Sequence, residues 1–292
     1  MERKPKISLI LESFTQLEKA YADLKKNMAE GKEKFVANPL LQDKVRVDFN
    51  LAFESSMRVC RHLSAVYNLK TTSKDCLQKV GELVGTSDPG ALGELAQFYT
   101  KHRDLKESVP PEELYDFLSK ALPLFKEYAQ KVVEHVKRET NNPLLIDYDL
   151  LNEKARRVKE SVKKIEFVLS QGFEEFSKTP MYYDRVKYFY QVAYDSLFDI
   201  CKHLAPKFGV KKFGDDCLSK LVEVGVIPQN YYMDVLSMTR LKNRLISTWE
   251  VSPQELYQSL SQVKDKIEPV MKEISKSLRE LLRHRSAPST SQ

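Results

Sequence analysis

Apolar residues recur at three- and four-residue steps along most of the chain, which is the spacing that gives an α-helix one buried face. The clearest run of this kind lies between Val186 and Leu204. Pro39 and Pro180 each stand between a first and a second long run, and a proline breaks a helix at such a point. The pattern therefore predicts an all-α protein.

Two short helices and a last long helix are predicted after each second run. The short helices are expected at residues 74–84 and 90–104, and again at 213–223 and 230–248. In the second half the last helix opens on Ser-Pro-Gln-Glu at 252–255, a capping box with proline at the first helical position. The first half has Pro110 in place of the serine and should lack this side-chain cap.

The two halves of the chain resemble each other in sequence. A shift of about 141 residues lays Phe35–Leu63 on Phe176–Leu204 without a gap, and one more residue of shift lays Val109–Tyr115 on Val251–Tyr257. We therefore expect two copies of one four- to five-helix domain. The boundaries predicted from the repeat are 1–139 for the first copy, 140–144 for a linker, 145–284 for the second copy and 285–292 for a disordered tail.

Composition narrows the class of protein. Hydrophobic residues make up 42% and charged residues 30%, as in globular domains. Nine glycines are few for this length and argue against Rossmann-type and all-β folds, whose turns need glycine. The net charge of +6 is mild, and acidic residues are dispersed throughout. The charge allows an RNA or an acidic partner without arguing for one.

The sequence predicts a cytoplasmic protein. No apolar run has the length that a membrane span needs, and the first apolar stretch is broken at Glu12, too early for a signal peptide. In that compartment the four cysteines should be reduced thiols. They occupy two positions copied twice, without metal-ligand spacing, which favours buried small hydrophobic side chains over ligands or nucleophiles. We expect no metal and no cofactor.

Motifs of the second copy resemble the HepT-like HEPN family. Leu197–Leu204 contains Phe-Asp-Ile-x-x-His where the family has an aliphatic-Asp-Ile-x-x-His helix, and a helix ending in Gly-Val-Ile lies within Phe213–Ile227. Met238–Trp249 then stands where the family has Arg-Asn-x-Leu-Val-His-x-Tyr, and Val251–Tyr257 matches its last motif. The resemblance covers residues 145–280 and extends more weakly, through the repeat, over the first copy.

The resemblance implies a helical bundle that dimerises and brings two Arg-x4–6-His motifs together across a cleft. Active members are metal-independent ribonucleases, and HepT toxins pair with a small nucleotidyltransferase (MntA-like) antitoxin that can modify the tyrosine of the motif. A histidine can carry the proton of the ribose 2′-hydroxyl, and an arginine can hold the phosphate. For this chain we expect two tandem HEPN-type bundles packed as an intramolecular pseudo-dimer.

The motif residues themselves depart from the family. Aligned on Asn243, the arginine is Lys242, the histidine is Ser247 and the tyrosine is Trp249. Lysine can hold a phosphate as a point charge but lacks the bidentate fork of arginine. Serine is no general base near neutral pH, and tryptophan has no hydroxyl to accept a nucleotidyl group. Arg244 lies beside these positions and is a weak candidate for the site.

Other histidines give little support to catalysis. In the first copy the motif region contains His102 and Arg103 in the wrong order, so His102 is a weak catalytic candidate and is more simply a surface residue. His62 and His203 hold one repeated position beside the apolar run, which favours a hydrogen-bonded structural histidine over a base. Arg279 and His284 have the Arg-x4-His spacing, but at the end of the last helix, and we interpret this match as accidental.

Two functions remain open from the sequence. The favoured one is a non-catalytic HepT-like protein that binds a nucleotidyltransferase-type antitoxin or RNA through the cleft between its repeats. The alternative is an active, metal-independent endoribonuclease toxin with a rearranged site of Lys242, Arg244 and His102. A purely architectural scaffold is a third option. We expect no membrane partner, and either a monomeric fused pseudo-dimer or a higher homo-oligomer.

Overall fold

The computed structural model describes residues 4–102, 109–211, 213–247 and 251–286. All regular secondary structure in these ranges is helical, which confirms the prediction of an all-α fold. The chain divides into two compact units, Met1–Leu145 and Ile146–Gln292. None of the helices in the described ranges is long and apolar enough to cross a membrane.

The described part of the first unit contains six α-helices, one of them very short. Their bounds are α1 Ile7–Met28, α2 Lys32–Ala37, α3 Pro39–Val66, α4 Cys76–Val84, α5 Pro89–Lys101 and α6 Pro111–Glu139. The side chain of Asn38 accepts a hydrogen bond from the amide of Leu41, so it caps α3. The helix α6 begins after Pro110 without a side-chain cap, as the sequence predicted.

The described part of the second unit repeats this order of helices. Their bounds are α7 Tyr148–Leu169, α8 Phe173–Lys178, α9 Pro180–Leu204, α10 Cys217–Glu223, α11 Tyr232–Ser247 and α12 Pro253–Ser286, with short 3-10 helices at Ala205–Phe208 and Gln229–Tyr231. The amide of Glu255 donates to the Ser252 hydroxyl at 3.3 Å, which is one half of the predicted capping box. Residues 287–292 of the predicted disordered tail lie outside the described residues, and 285–286 belong to α12.

The described part of each unit has one more α-helix than the sequence predicted, because the first long run is interrupted before its proline. Gly31 and Gly172 have φ of 90° and 85°, a left-handed conformation that glycine adopts without steric cost. The chain therefore turns after α1 and α7, and a helix of six residues follows in each unit. Phe35 and Phe176 bury these short helices against the unit that contains them.

The second long helix lies at the centre of each core. In the first unit the buried ring of Phe49 on α3 is surrounded by the rings of Phe53, Tyr99, Phe117 and Phe125, at centroid distances of 5.5 to 6.3 Å. Such aromatic clusters bury a large apolar area and favour tilted and edge-to-face geometry. Because the ring is central to helices α3, α5 and α6, it holds the last helix against the rest of the unit.

The cysteines are where the structure corrects the sequence-based prediction. Cys60 and Cys76 form a disulfide with a Cα–Cα distance of 6.0 Å, and Cys201 and Cys217 form another at 6.2 Å. The expectation of reduced thiols was wrong because it followed from the predicted compartment and left out the fold. In the first unit the end of α3 lies at disulfide-bonding distance from the start of α4. In the second unit the end of α9 lies at such a distance from the start of α10. The four side chains are buried, as predicted, and the cytoplasmic location stays a prediction.

Candidate functional site

The motif positions lie on α11 of the second unit. Its buried face carries Val235, Met238, Leu241 and Leu245, at helical spacing. This face fixes the rotation of the helix, so that Lys242 is half-buried while Asn243, Arg244 and Ser247 are exposed. Trp249 lies outside the described residues.

Lys242 is held against an aromatic side chain of α9. Its Nζ lies 5.7 Å from the centre of the Tyr194 ring, within cation–π range. The Tyr194 hydroxyl is 3.0 Å from the Thr239 hydroxyl, so the ring is fixed between α9 and α11. Further along α9, Lys202 lies over the ring of Phe198 at 5.3 Å. This part of the second unit therefore presents two ammonium groups on aromatic rings.

Ser247 and Arg244 are engaged in contacts that hold helices together. The Ser247 hydroxyl donates to the carbonyl of Asn243 at 2.8 Å, the usual bond of a serine to its own helix. Arg244 forms an ion pair with Glu255 in the first turn of α12. The side chain of Asn243 is exposed. The arrangement offers cations for a phosphate but no general base at the motif's histidine position.

His102 belongs to the first unit. It caps the C-terminus of α5, and its ring packs against Phe98 at 4.5 Å between centroids. Arg103, its neighbour in the sequence, lies outside the described residues. The prediction that His102 acts together with Lys242 and Arg244 stays a prediction.

The repeated histidines have a structural role that is the same in both units. The Nε2 of His203 accepts a hydrogen bond from the backbone N–H of Asp147 at 2.9 Å, and Asp147 is the residue before α7. The Nε2 of His62 accepts from the N–H of Lys6, before α1, at 2.7 Å. Each histidine therefore satisfies an amide at the start of its unit's first helix. This confirms the prediction of a hydrogen-bonded structural histidine.

Burial of the His203 ring, assisted by the charge of Lys207, lowers the pKa of His203 to about 4. A neutral ring is also what the contact needs, because only an unprotonated Nε2 can accept the hydrogen bond from Asp147. Burial and the charge of Lys6 lower the pKa of His62 in the same direction. Both histidines are therefore acceptors at neutral pH and are poor candidates for a proton-transferring base.

A His203→Gln variant tests this role through its pH dependence. The folded pKa lies below the unfolded value, so the unfolded chain binds the proton first as the pH falls. The stability contributed by neutral His203 is complete above a pH of about 6.5 and is lost toward about 4. Urea denaturation is carried out at a pH of about 7 and at a pH of about 4.5. Between these two values the free energy of unfolding of the wild type should fall by about 2 kcal/mol more than that of the variant. Equal losses in the two proteins would contradict the assignment.

Asp199 has a structural partner that the sequence did not reveal. Its carboxylate bonds the Lys154 ammonium of α7 at 2.6 Å and pairs with Lys202 at 3.3 Å. The corresponding position in the first unit is Arg58, which pairs with Glu12 of α1 at 3.2 Å. The charges are reversed but the two helices are joined in both units. In the second unit the Asp and His of the aliphatic-Asp-Ile-x-x-His motif therefore both fasten α9 to the start of the unit.

The comparison with family models gives one match, and it lies within the second unit. Residues 158–274 match the model of the family described as Ribonuclease HepT-like. Over these residues the second unit is similar to that family. The matched residues include α9, α10 and the motif helix α11, and they support the HEPN family suggested by the sequence. Neither the curated proteins nor the solved structures gave a match.

The family match also concerns Arg279 and His284, the Arg-x4-His pair at the end of the last helix. Arg279 and His284 lie on α12 beyond the residues that match the HepT-like family. The Arg279 Nε donates to the carbonyl of Ser275 at 3.3 Å, a bond within its own helix. The pair is therefore on a different helix from the motif positions, and that the match is accidental stays an interpretation.

Proposed function

We propose that the second unit is a HepT-like domain that has lost ribonuclease activity and acts by binding a phosphate-bearing partner. The proposal rests on which residues occupy the positions of the family's catalytic motif. The motif's arginine, histidine and tyrosine positions hold Lys242, Ser247 and Trp249. The hydroxyl of Ser247 bonds its own helix, while Lys242 keeps a positive charge on the ring of Tyr194. Phosphate binding survives such changes, whereas proton transfer from the ribose does not.

We propose further that the chain is a tandem duplication whose units serve as the two halves of a pseudo-dimer. The helices of the two units follow one order, and α1, α2 and α3 begin 141 residues before α7, α8 and α9 (7 and 148, 32 and 173, 39 and 180). Each unit also has a disulfide between cysteines 16 residues apart and a histidine bonded to the amide before its first helix. The partner would bind at the cleft that the two units form, in place of a cleft between two chains.

RNA is the partner that the cations favour. Lys242 is fixed over the ring of Tyr194, so less side-chain entropy is lost when a phosphate binds. Lys202 lies over the ring of Phe198 and would exchange its exposed contact with Asp199 for the phosphate. A small nucleotidyltransferase is the partner that the family suggests, and an acidic surface on such a protein would meet the same groups.

Fluorescence anisotropy with a labelled single-stranded RNA tests the binding surface. Lys242→Ala should weaken RNA binding roughly tenfold. It should also reduce the slope of log affinity against log salt concentration by about one, and by the same amount for every RNA sequence. The matched control is Lys163→Ala, an exposed lysine on α7, which should change neither. Equal effects of the two variants would overturn the proposed surface. No RNA binding together with co-purification of a nucleotidyltransferase would move the proposal to the protein partner.

A further inference from the structure

A row of positively charged side chains runs along the second half of α12, on the face turned away from the core. The four side chains are exposed and lie four, three and four residues apart: Lys272, Lys276, Arg279 and Arg283. At 100° and 1.5 Å per residue, this spacing places them within about 60° of one another around the helix and over about 16 Å of its length. We call this row the α12 basic stripe.

The stripe contributes nothing to the fold through ion pairs. Those ion pairs of α12 that the described ranges contain all lie before residue 267. Like charges three or four residues apart destabilise a helix, so the stripe weakens the helix that carries it. The dipole of the helix favours cations within its last turn, and since α12 ends at Ser286 this accounts for Arg283 alone.

The equivalent helix of the first unit has a different set of side chains at these positions. On α6 and directly after it, 142 residues earlier in the chain, stand Gln130, Glu134, Lys137 and Asn141. Glu134 also pairs with Lys131 at 3.6 Å. The disulfides and the bonded histidines occur in both units and serve the fold of each. A feature of one unit alone is not needed for that fold.

The chemistry of the stripe fits the phosphates of a nucleic acid. Cations in line along one helix can neutralise several phosphates of one strand and release their counterions. A lipid surface fits less well, because a helix binds to it through an apolar face that is free to enter the headgroup region. The apolar side chains in this half of α12, Met271, Ile274 and Leu278, are buried in the unit.

The stripe lies away from the motif positions of α11. Glu255, in the first turn of α12, pairs with Arg244 near the end of α11. Further along α12, Lys266 pairs with Asp234 near the start of α11 at 2.9 Å, so the two helices run antiparallel. The stripe begins at Lys272, about 25 Å along α12 from Glu255. It therefore lies past the start of α11 and forms a surface of its own.

We propose that the α12 basic stripe is a second RNA-binding surface, which contacts the phosphates of a strand irrespective of its sequence. Lysine and arginine contacts to phosphate fix the position of a nucleic acid and carry no sequence information. The proposal rests on the proposed function for RNA as the partner, but it uses none of the residues of α11. A strand that contacts both surfaces has to extend over the distance between them, whereas a short strand occupies one.

Fluorescence anisotropy with the full-length chain tests the stripe, with a labelled single-stranded RNA of roughly 20 nucleotides, long enough for more than one surface. The variant Lys272→Gln/Lys276→Gln/Arg279→Gln/Arg283→Gln removes the four charges, and glutamine has a helix propensity close to that of lysine and arginine. The slope of log affinity against log salt concentration should fall by about 3, and affinity at about 0.1 M salt at least about a hundredfold.

Two control variants separate the stripe from net charge. Lys19→Gln/Lys34→Gln/Lys101→Gln/Lys120→Gln removes the same charge from exposed lysines on four helices of the first unit, and it should leave the slope close to that of the wild type. Arg279→Lys/Arg283→Lys keeps the charges of the stripe and should also keep the slope. Equal losses in the stripe and first-unit variants, or an unchanged slope in the stripe variant, would overturn the proposal.

Lys242→Ala in the same assay separates the two surfaces. If it binds RNA like the wild type while the stripe variant does not, the surface on α11 fails and the stripe stands. Binding of the wild type to vesicles of anionic lipid but not to RNA would overturn the stripe as an RNA surface. Guanidinium denaturation should show the stripe variant to be at least as stable as the wild type, because repulsion has been removed. A large loss of stability would assign the stripe to the fold and contradict the proposal.

Discussion

Replacing Tyr190 with alanine is expected to lower the free energy of unfolding by about 4 kcal/mol, the cost of deleting a large buried aromatic ring from a close-packed core. Tyr190 is fully buried at the centre of the second unit. Its hydroxyl also donates to the carbonyl of Met238 on α11 at 2.7 Å. The change therefore removes packing from the core and the bond that positions the motif helix. Guanidinium denaturation of the full chain, followed by circular dichroism, measures the loss.

Tyr190→Phe is the matched variant, because it keeps the ring and removes only the hydrogen bond. We expect it to cost about 1 to 2 kcal/mol, since the carbonyl of Met238 is left buried with one partner fewer. In the anisotropy assay it should also weaken RNA binding, because Lys242 lies one turn beyond Met238 on the same helix. An alanine variant as stable as the phenylalanine variant would show that the ring is not a core residue.

Removing the disulfide of the second unit is expected to destabilise the chain by about 3 kcal/mol, the chain-entropy estimate for a loop of this size. The bond joins Cys201 to Cys217, 16 residues further along, and the first unit has its equivalent between Cys60 and Cys76. Cys201→Ala/Cys217→Ala should show the loss in guanidinium denaturation. Dithiothreitol should destabilise the wild type by a comparable amount for each bond that it reduces.

The control for the disulfides is a chain in which all four cysteines are alanine. Its stability should not respond to dithiothreitol, since no bond remains to be reduced. Thiol titration of the denatured, unreduced wild type gives the most direct readout. It should detect no free thiol, and four free thiols would contradict the pairing.

The helices were predictable from the sequence because their signals are local. The apolar period that runs through Val186 and Leu204 and the proline at position 180 determine α9 without reference to the rest of the chain. The positions of the cysteines and histidines in two copies also indicated structural roles. His203 then proved to accept a hydrogen bond from the amide of Asp147, a contact between residues 56 positions apart.

The disulfides and the details of the site could not be predicted, because they depend on distances between helices. Spacing alone did not reveal that Cys201 and Cys217 meet where α9 ends and α10 begins. The partners of Lys242 and Arg244, a ring on α9 and a carboxylate on α12, likewise come from packing. The short helices after Gly31 and Gly172 were missed because a backbone conformation with positive φ interrupts an apolar run that continues in the sequence.

The absence of ribonuclease activity is the central claim, and incubation with RNA tests it most directly. Purified wild-type chain is mixed with a labelled RNA in the presence of a chelator, beside the variants Lys242→Ala and His102→Ala. The account predicts no cleavage above that of RNA alone for any of the three proteins, while the wild type still binds the RNA. Cleavage by the wild type that disappears in either variant would contradict it and would establish an active, rearranged site.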